Sequence, residues 1–224
     1  MAPADKATRP WVALFDLDGT ITWRDTFLPF MWGFLLRHPR RFVNLWQLPG
    51  ALFGYCVHQN RGRLKSRIIS MAMRGAGRAE IDAWAEDFVG ALQLRGRLRP
   101  VALRVLEAHR NAGDRLVLLS ASPDLYVPKI GRLLGFERTL CTEIAWDGDR
   151  LAGDLRTPNR RGEEKALCLK WLRSQYRNSR VIAYGNSTSD LDHMREADRA
   201  LLVNGNAEAR RAAQNLKIAT AEWS

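Results

Sequence analysis

The chain has 224 residues, is 46% hydrophobic and contains eight tryptophans, which excludes a disordered chain and suffices for a sizeable core. Its formal charge of +11 predicts an anionic partner such as a nucleic acid, a phosphorylated metabolite or a membrane surface. The three widely spaced cysteines match neither a zinc pattern nor a disulfide framework, and so favour a reducing compartment.

Residues 1–10 contain no apolar signal core, and we predict a short flexible N-terminus. The most apolar stretch, Phe27 to Leu36, is too short to span a bilayer, which takes about 18 residues, and it contains Pro29. These features predict a cytoplasmic protein.

The run from Trp11 to Phe15 is apolar and β-prone, as expected of a buried parallel strand. It is followed by Asp16 and Asp18, then Gly19 and Thr20. Ligands of open α/β sheets bind just beyond the carboxyl ends of the strands. Two carboxylates there would repel each other, and a hard cation such as Mg²⁺ would relieve the repulsion. The run therefore predicts a metal-dependent site with a carboxylate nucleophile.

Residues 23–97 show helical spacing with turn signals and no convincing strand, which predicts a helical insert directly after the first strand and its loop. Between Arg24 and Arg99 we count thirteen Arg or Lys and five Asp or Glu, a net charge of +8. Most of the net charge of the chain therefore lies in the insert.

The rest of the chain alternates between helix and strand, which predicts a doubly wound parallel sheet of the α/β class. A hairpin is predicted from Thr139–Trp146 and Arg150–Gly153 across the Asp147-Gly148 turn. Further strands are predicted at 115–120, 180–185 and 200–203, and helices at 101–111, 123–134 and 162–176. Ser122 is interpreted as the cap of the helix that begins at Pro123.

Three more polar clusters follow these strands or open a helix. They are centred on Ser120, on Lys165 and on the loop from Gly185 and Asn186 to Asp190. Phosphoryl transfer needs a nucleophile, a proton donor, a cation at the phosphoryl oxygens and a metal. The sequence offers groups that match these needs: one carboxylate pair, one hydroxyl, one lysine and one oxygen-rich loop.

In the order and spacing of these four motifs, from about Val12 to Val203, the chain resembles the haloacid dehalogenase superfamily. The most similar subgroup is subfamily IB, the phosphoserine phosphatase-like enzymes. The resemblance implies a Rossmann-like core with an inserted α-helical cap of the C1 type. It predicts a core of residues 11–22 and 98–224 and a cap of residues 23–97.

The resemblance implies a Mg²⁺-dependent phosphomonoester hydrolase. Asp16 would form an aspartyl phosphate, and Asp18 would act as acid and then as base. The implied ligands of the substrate phosphate are Gly19, Thr20, Ser120, Ala121 and Lys165. The implied metal ligands are Asp16, the backbone carbonyl of Asp18, Asn186 and Asp190.

One position departs from the family pattern. The fourth motif usually begins Gly-Asp, and here the second residue is Asn186. An amide oxygen can bind Mg²⁺ but carries no charge, so we expect weaker cation binding.

The insert is expected to choose the substrate. The resemblance implies that Asp25 alone would correspond to the acidic residues that read the amino acid in phosphoserine phosphatases, so a small zwitterionic substrate is poorly supported. Arg63 lies in a segment that resembles bacterial phosphatidylglycerophosphate phosphatases. Aromatic residues beside arginines between Phe27 and Tyr55 fit either helices at a membrane interface or the hydrophobic core of the cap itself.

Three functions follow from these alternatives. The first is a phosphatase acting on a lipid phosphate, with peripheral contact to the inner membrane surface. The second is a phosphatase of a small soluble metabolite such as phosphoserine or histidinol phosphate. The third is a catalytically impaired module that binds a membrane or a partner. Nucleic-acid binding is not expected, because no helix-turn-helix, zinc-finger or RNA-binding signature is found. The oligomeric state is left open.

Overall fold

A computed structural model describes residues 10–223. The predicted flexible segment 1–10 lies outside this range except for Pro10. In chain order the strands are β1 Trp11–Phe15, β2 Arg115–Pro123, β3 Arg138–Thr142, β4 Ile144–Asp147, β5 Arg150–Leu155, β6 Arg180–Gly185, β7 Arg199–Val203 and β8 Ala219–Ala221.

Nine α-helices lie within the described range of the chain. They are α1 Phe27–Arg37, α2 Leu48–His58, α3 Arg61–Met73, α4 Arg78–Leu94, α5 Pro100–Asn111, α6 Val127–Leu133, α7 Glu163–Gln175, α8 Leu191–Glu196 and α9 Ala207–Asn215. A 3₁₀ helix, Pro39–Gln47, joins α1 to α2. None of the helices in residues 10–223 is both long enough and apolar enough to cross a bilayer.

The central sheet has six strands in the spatial order β3-β2-β1-β6-β7-β8, and neighbouring strands are parallel. Alternate side chains of β1 face opposite sides of the sheet. Val12 and Leu14 pack in the cluster that contains Leu169 of α7. Ala13 and Phe15 pack in the cluster that contains Ala102 and Leu106 of α5. Helices therefore cover both faces, and the predicted doubly wound α/β fold is confirmed.

The predicted hairpin is wrong in its first strand. Residues 138–142 form β3 and pair in parallel with β2, and only β4 pairs with β5. Asp124 causes the break, because its backbone N–H donates to the Thr142 carbonyl at 2.9 Å and its Oδ1 accepts from the Ile144 N–H at 3.1 Å. Strand β8 was not predicted. It has three residues, and its pairing with β7 at the edge of the sheet is what makes it a strand.

The helix predicted to begin at Pro123 begins instead at Val127. Strand β2 continues to Pro123, which lies opposite Thr142 in β3. Pairing with a neighbouring strand has therefore overridden the local helix-start signal. Ser122 lies within the strand, so its interpretation as a helix cap is wrong.

The segment that enters the insert and the segment that leaves it lie side by side and are hydrogen-bonded to each other. Thr22 and Leu98 form an antiparallel bridge, and the Trp23 N–H donates to the Arg97 carbonyl at 3.0 Å. Helices α1 to α4 lie between these two segments in the chain. We propose on this ground that residues 23–97 are the cap, with a core of residues 11–22 and 98–224.

The cap helices share one hydrophobic cluster with the core face that carries α5. Its buried members from the insert include Phe30, Phe34, Ile69, Met73, Ile81 and Phe88. Phe30 also packs against Tyr126, with ring centroids 4.4 Å apart. Part of the apolar sequence of the insert is therefore explained as internal core, which was one of the two readings of its aromatic residues.

Candidate active site

The four predicted motifs meet at the carboxyl edge of the central sheet. Asp16 follows β1, Ser120 lies near the end of β2, and Asn186 and Asp190 follow β6. Lys165 comes from the first turn of α7. Parallel strands bring their carboxyl ends to one edge, so residues far apart in sequence become neighbours. Residues of all four motifs line a cavity of about 560 Å³, with Ala121 representing the motif of Ser120.

Lys165 joins two of the predicted carboxylates. Its Nζ donates to Asp16 Oδ1 and to Asp190 Oδ1, each at 2.6 Å, and all three side chains are buried. Burial raises the pKa of Asp16 to about 7, although attraction by Lys165 opposes the shift. Burial would also raise the pKa of Asp190, but Lys165 attracts its charge strongly enough to lower that pKa. The two carboxylates raise the pKa of Lys165 despite its burial, so the lysine stays charged.

Asp190 is also oriented by its own loop. Its Oδ2 accepts from the backbone N–H groups of Asn186 and Ser187 at 3.1 and 3.0 Å, and from Ser187 Oγ at 2.8 Å. Every carboxylate oxygen of Asp190 therefore has a donor. The predicted polar loop after β6 forms around this one side chain.

Asp18 has a different environment from Asp16. Its Oδ1 accepts from the Thr26 N–H at 2.8 Å and from Thr26 Oγ1 at 2.6 Å, and its Oδ2 accepts from Ser122 Oγ at 2.6 Å. Burial, followed by repulsion from Asp25, raises the pKa of Asp18 above its usual range. Asp18 forms no hydrogen bond or ion pair with Lys165, whose ammonium group is bound by Asp16 and Asp190.

Thr26, Ser122 and Tyr126 were missed by the sequence reasoning. The Tyr126 hydroxyl lies 2.9 Å from Thr26 Oγ1 and extends the network around Asp18. Ser122 could have been found from its place two residues after Ser120 at a strand end. Thr26 and Tyr126 carry no comparable sequence signal, because only the folded chain brings them to Asp18.

Gly19 and Thr20 support the loop that carries the two aspartates. Gly19 has a φ of +82°, and a Cβ added to it would lie 2.0 Å from Asn186 Nδ2. Glycine suits this position because the left-handed backbone conformation is strained for other residues, and a side chain there would also displace that of Asn186. Thr20 Oγ1 donates to Asp16 Oδ2 at 3.2 Å and thereby orients that carboxylate.

Ser120 and Ala121 occupy different depths. The Ser120 side chain is fully buried, and its Oγ accepts from the Ser122 N–H at 3.0 Å. Ala121 lines the cavity, and its carbonyl accepts from Thr142 Oγ1 at 2.7 Å. In the described part of the chain, Ala121 and Ser122 line the cavity and Ser120 lies behind them.

The insert contributes further residues to the cavity. Lys65 of α3 reaches into it and donates to Asn159 Oδ1 at 2.7 Å. Burial lowers the pKa of Lys65 to about 8. Asp25 lines the cavity, but its Oδ1 also accepts from the Phe27 N–H at 2.9 Å and so caps α1. Arg63 lies outside this cavity, in an adjoining cleft.

The oxygen atoms at the edge of the sheet suit a hard cation, since Mg²⁺ takes oxygen ligands. The residues that would hold it are Asp16, the Asp18 carbonyl, Asn186 and Asp190. Within residues 10–223 no group of three or more His, Cys, Asp or Glu side chains is arranged as a metal site. The donor set therefore fits Mg²⁺ in its chemistry but supplies little negative charge.

The fold and this site define the protein as a doubly wound α/β protein with a buried carboxylate–lysine site at the carboxyl edge of its sheet. Residues 13–195 match the model of the haloacid dehalogenase-like hydrolase family. The chain belongs to this family of hydrolases, which confirms the resemblance seen in its motifs.

Several known proteins are similar to this chain. Protein CicA of Caulobacter vibrioides is 33% identical over 196 residues, which are 84% of each chain. A Bordetella pertussis Tohama I protein of unknown function has a TM-score of 0.80 at 22% identity, over 97% of this chain and 100% of that one. A probable phosphoserine phosphatase from Vibrio cholerae has a TM-score of 0.70 at 13% identity, over 96% of this chain and 62% of that one. At 22% and 13% identity, the Bordetella and Vibrio structures show that the fold is shared and nothing more.

Proposed function

We propose that the protein is a Mg²⁺-dependent phosphomonoester hydrolase that works through an aspartyl phosphate on Asp16. The observation that carries this proposal is the buried arrangement of Asp16, Lys165 and Asp190, with Asp18 beside it in a separate hydrogen-bond network. A nucleophile and a proton-exchanging group thus have different environments, as acid–base chemistry at one site requires.

Asp16 attacks phosphorus while Asp18, in its protonated form, gives its proton to the leaving oxygen. Asp18, now ionised, takes a proton from the water that hydrolyses the aspartyl phosphate, and inorganic phosphate leaves. Burial of Asp18 favours the protonated form that the first step needs. Lys165 neutralises charge on the phosphoryl oxygens, together with donors from Gly19 and Ala121, which line the cavity. Thr20 and Ser120 are buried beside it and support the residues that line it. Bound Mg²⁺ would add positive charge beside Asp16 and keep the nucleophile ionised.

Replacing Asn186 by aspartate is expected to lower the Mg²⁺ concentration needed for half-maximal activity by about tenfold, because it adds a charged oxygen ligand. The measurement is the Mg²⁺ dependence of p-nitrophenyl phosphate hydrolysis. Asn204→Asp, in the turn after β7, serves as the matched control. An unchanged Mg²⁺ dependence in Asn186→Asp would show that Asn186 is not a metal ligand.

A lipid-linked phosphate is the substrate class that the surface of the insert favours. Helix α2 has the sequence LPGALFGYCVH, yet Ala51 is its one buried residue. Trp46 and Phe53 are 76% and 71% exposed. We name this exposed apolar set the apolar cap surface, and it comprises Val43, Trp46, Leu52, Phe53 and Val57.

This surface fits a membrane interface better than open water. Exposed apolar side chains concentrated in one segment are typical of interaction sites, and aromatic residues beside arginines suit the boundary of an anionic bilayer. Arg40 and Arg41 precede the surface, and Arg61 and Arg63 follow it in the chain. The C-terminal end of α2, at His58, lines the cleft that adjoins the catalytic cavity. Peripheral contact at the cytoplasmic face of the inner membrane would bring a lipid headgroup to the site.

The protein is expected to sediment with vesicles of 30% phosphatidylglycerol at low salt and not with purely zwitterionic vesicles. Phe53→Ser combined with Trp46→Ser should lower the bound fraction by about tenfold, since two large apolar side chains lose their burial in the interface. Leu94→Ser is the control, because Leu94 is 89% exposed on α4 and outside the surface. Absence of binding to anionic vesicles would favour the soluble-metabolite phosphatase instead.

A further inference from the structure

A second cleft adjoins the catalytic cavity and has a volume of about 1000 Å³. It is lined by the end of α2, the start of α3 and the segment 154–162. Arg61, Asn159 and Arg161 line both the cleft and the catalytic cavity, so the two spaces are continuous. Arg63 adds a third guanidinium to the cleft.

These three arginines lack acidic partners. Among residues 10–223, the carboxylates that lie within 4 Å of a basic group pair with other residues and not with Arg61, Arg63 or Arg161. The neighbouring Asp154 pairs with Arg74, and Arg156, at the rim of the cleft, pairs with Glu143. The cleft therefore presents three guanidinium groups without an ion-pair partner among the described residues, directly beside the catalytic cavity, and Asp190 and Asp16 attract Arg161 only from beyond ion-pair distance.

The geometry of Arg161 makes this charge costly. Its side chain is partly buried, and burial followed by repulsion from Arg61 lowers its pKa. Arg61 and Arg63 are exposed, so the cost falls on the half-buried Arg161, whose charge is unfavourable beside theirs unless an anion compensates it. Arginine binds phosphate with a planar fork of donors, which suits such an anion.

We propose that Arg61, Arg63 and Arg161 form a second anion subsite, and that the substrate carries a second phosphate beyond the ester bond that is cleaved. This inference rests on the proposed phosphatase activity, with the cleaved phosphate at Asp16 and the second phosphate in the cleft. The second phosphate could belong to the diester of a lipid headgroup or to a soluble bisphosphate.

The first test of the subsite measures ligand binding in a variant that lacks the nucleophile, so that no ligand is hydrolysed. Asp16→Asn is titrated by calorimetry with propane-1,3-diol monophosphate and with its bisphosphate, in Mg²⁺ buffer. We expect the bisphosphate to bind about tenfold more tightly, and this advantage to fall below threefold when Arg161→Gln or Arg63→Gln is added. Arg67→Gln, on the same helix but outside the cleft, should keep the advantage. Equal binding of the two compounds by Asp16→Asn would overturn the subsite.

Kinetics of the protein with native Asp16 separate binding from chemistry. The bisphosphate should have the lower KM, and Arg63→Gln should raise that KM with a smaller effect on kcat. A KM that is equal for both compounds, with measurable turnover, would overturn the subsite and leave the proposed function intact. Tighter binding of the bisphosphate without turnover of any phosphomonoester would overturn the proposed function and support the subsite.

The same experiment distinguishes the two sources of the second phosphate. One arm uses the soluble bisphosphate, and the other uses a diacyl lipid whose headgroup carries a phosphodiester and a terminal phosphomonoester, in detergent micelles. Loss of the advantage in Arg161→Gln in both arms supports the subsite for either source. Loss in the soluble arm alone supports a soluble bisphosphate as its occupant, and absence of loss in the soluble arm overturns the subsite.

Discussion

Replacing Asp16 by asparagine is expected to lower kcat/KM for p-nitrophenyl phosphate by a factor of about 10³ or more, because the amide cannot form the aspartyl phosphate. The substitution keeps the shape of the side chain and removes a carboxylate whose ionisation burial opposes. The variant should therefore fold. The measurements are steady-state hydrolysis and the thermal midpoint of unfolding.

Acid quenching during hydrolysis of a phosphomonoester with a labelled phosphate group would trap the aspartyl phosphate and so identify the nucleophile directly. Labelled phosphate should remain covalently attached to the unsubstituted protein and be absent from Asp16→Asn. Asp149→Asn, at the exposed turn of the hairpin, is the matched control and should keep full activity. Retention of more than a tenth of the activity by Asp16→Asn would rule out Asp16 as the nucleophile.

Replacing Lys165 by methionine is expected to reduce both stability and activity. The change would leave Asp16 and Asp190 buried without the ammonium group that lies 2.6 Å from each. Breaking a buried ion pair in this way costs about 3–5 kcal/mol, so we expect the free energy of unfolding at pH 7.5 to fall by about 3 kcal/mol. Hydrolysis of p-nitrophenyl phosphate should fall at least about 100-fold.

The stability deficit of Lys165→Met should depend on pH. Without the lysine, burial raises the pKa of both carboxyl groups in the folded state above the unfolded values. Stability of the variant then increases as the pH falls and the carboxyl groups become protonated, so the deficit should shrink between pH 7.5 and pH 5. Lys170→Met, on the same helix with a largely exposed side chain, should change stability little at either pH. A deficit that is constant across this range would contradict the ion-pair explanation.

The motifs of the site could be predicted from sequence because each one lies at a strand end or a helix start. Asp16 follows a fully buried strand, and Asn186 and Asp190 follow another. The carboxyl ends of parallel strands share one edge, so recognising the strands was enough to expect these residues together. The family of the chain followed from the same pattern.

The partners of Asp18 could not be predicted in this way. Ser122 was assigned to a helix because Ser-Pro is a common helix start, whereas strand pairing with β3 keeps it in β2. Lys65 enters the cavity from α3 of the insert, 56 residues away from the Ala121 carbonyl it contacts. Contacts between the insert and the core depend on helix packing, which hydrophobic spacing does not specify.

The sequence alone determined the fold class and the chemical groups at the sheet edge, because buried strands and strand-end polar residues are local patterns. The tertiary structure decided which of these groups touch. It set Lys165 between Asp16 and Asp190, and it gave Asp18 a separate network with Thr26 and Ser122. It also brought Arg161 beside Arg61 of the insert. Such electrostatic relations depend on distance and burial in the folded chain, and neither is encoded in the spacing of residues along it.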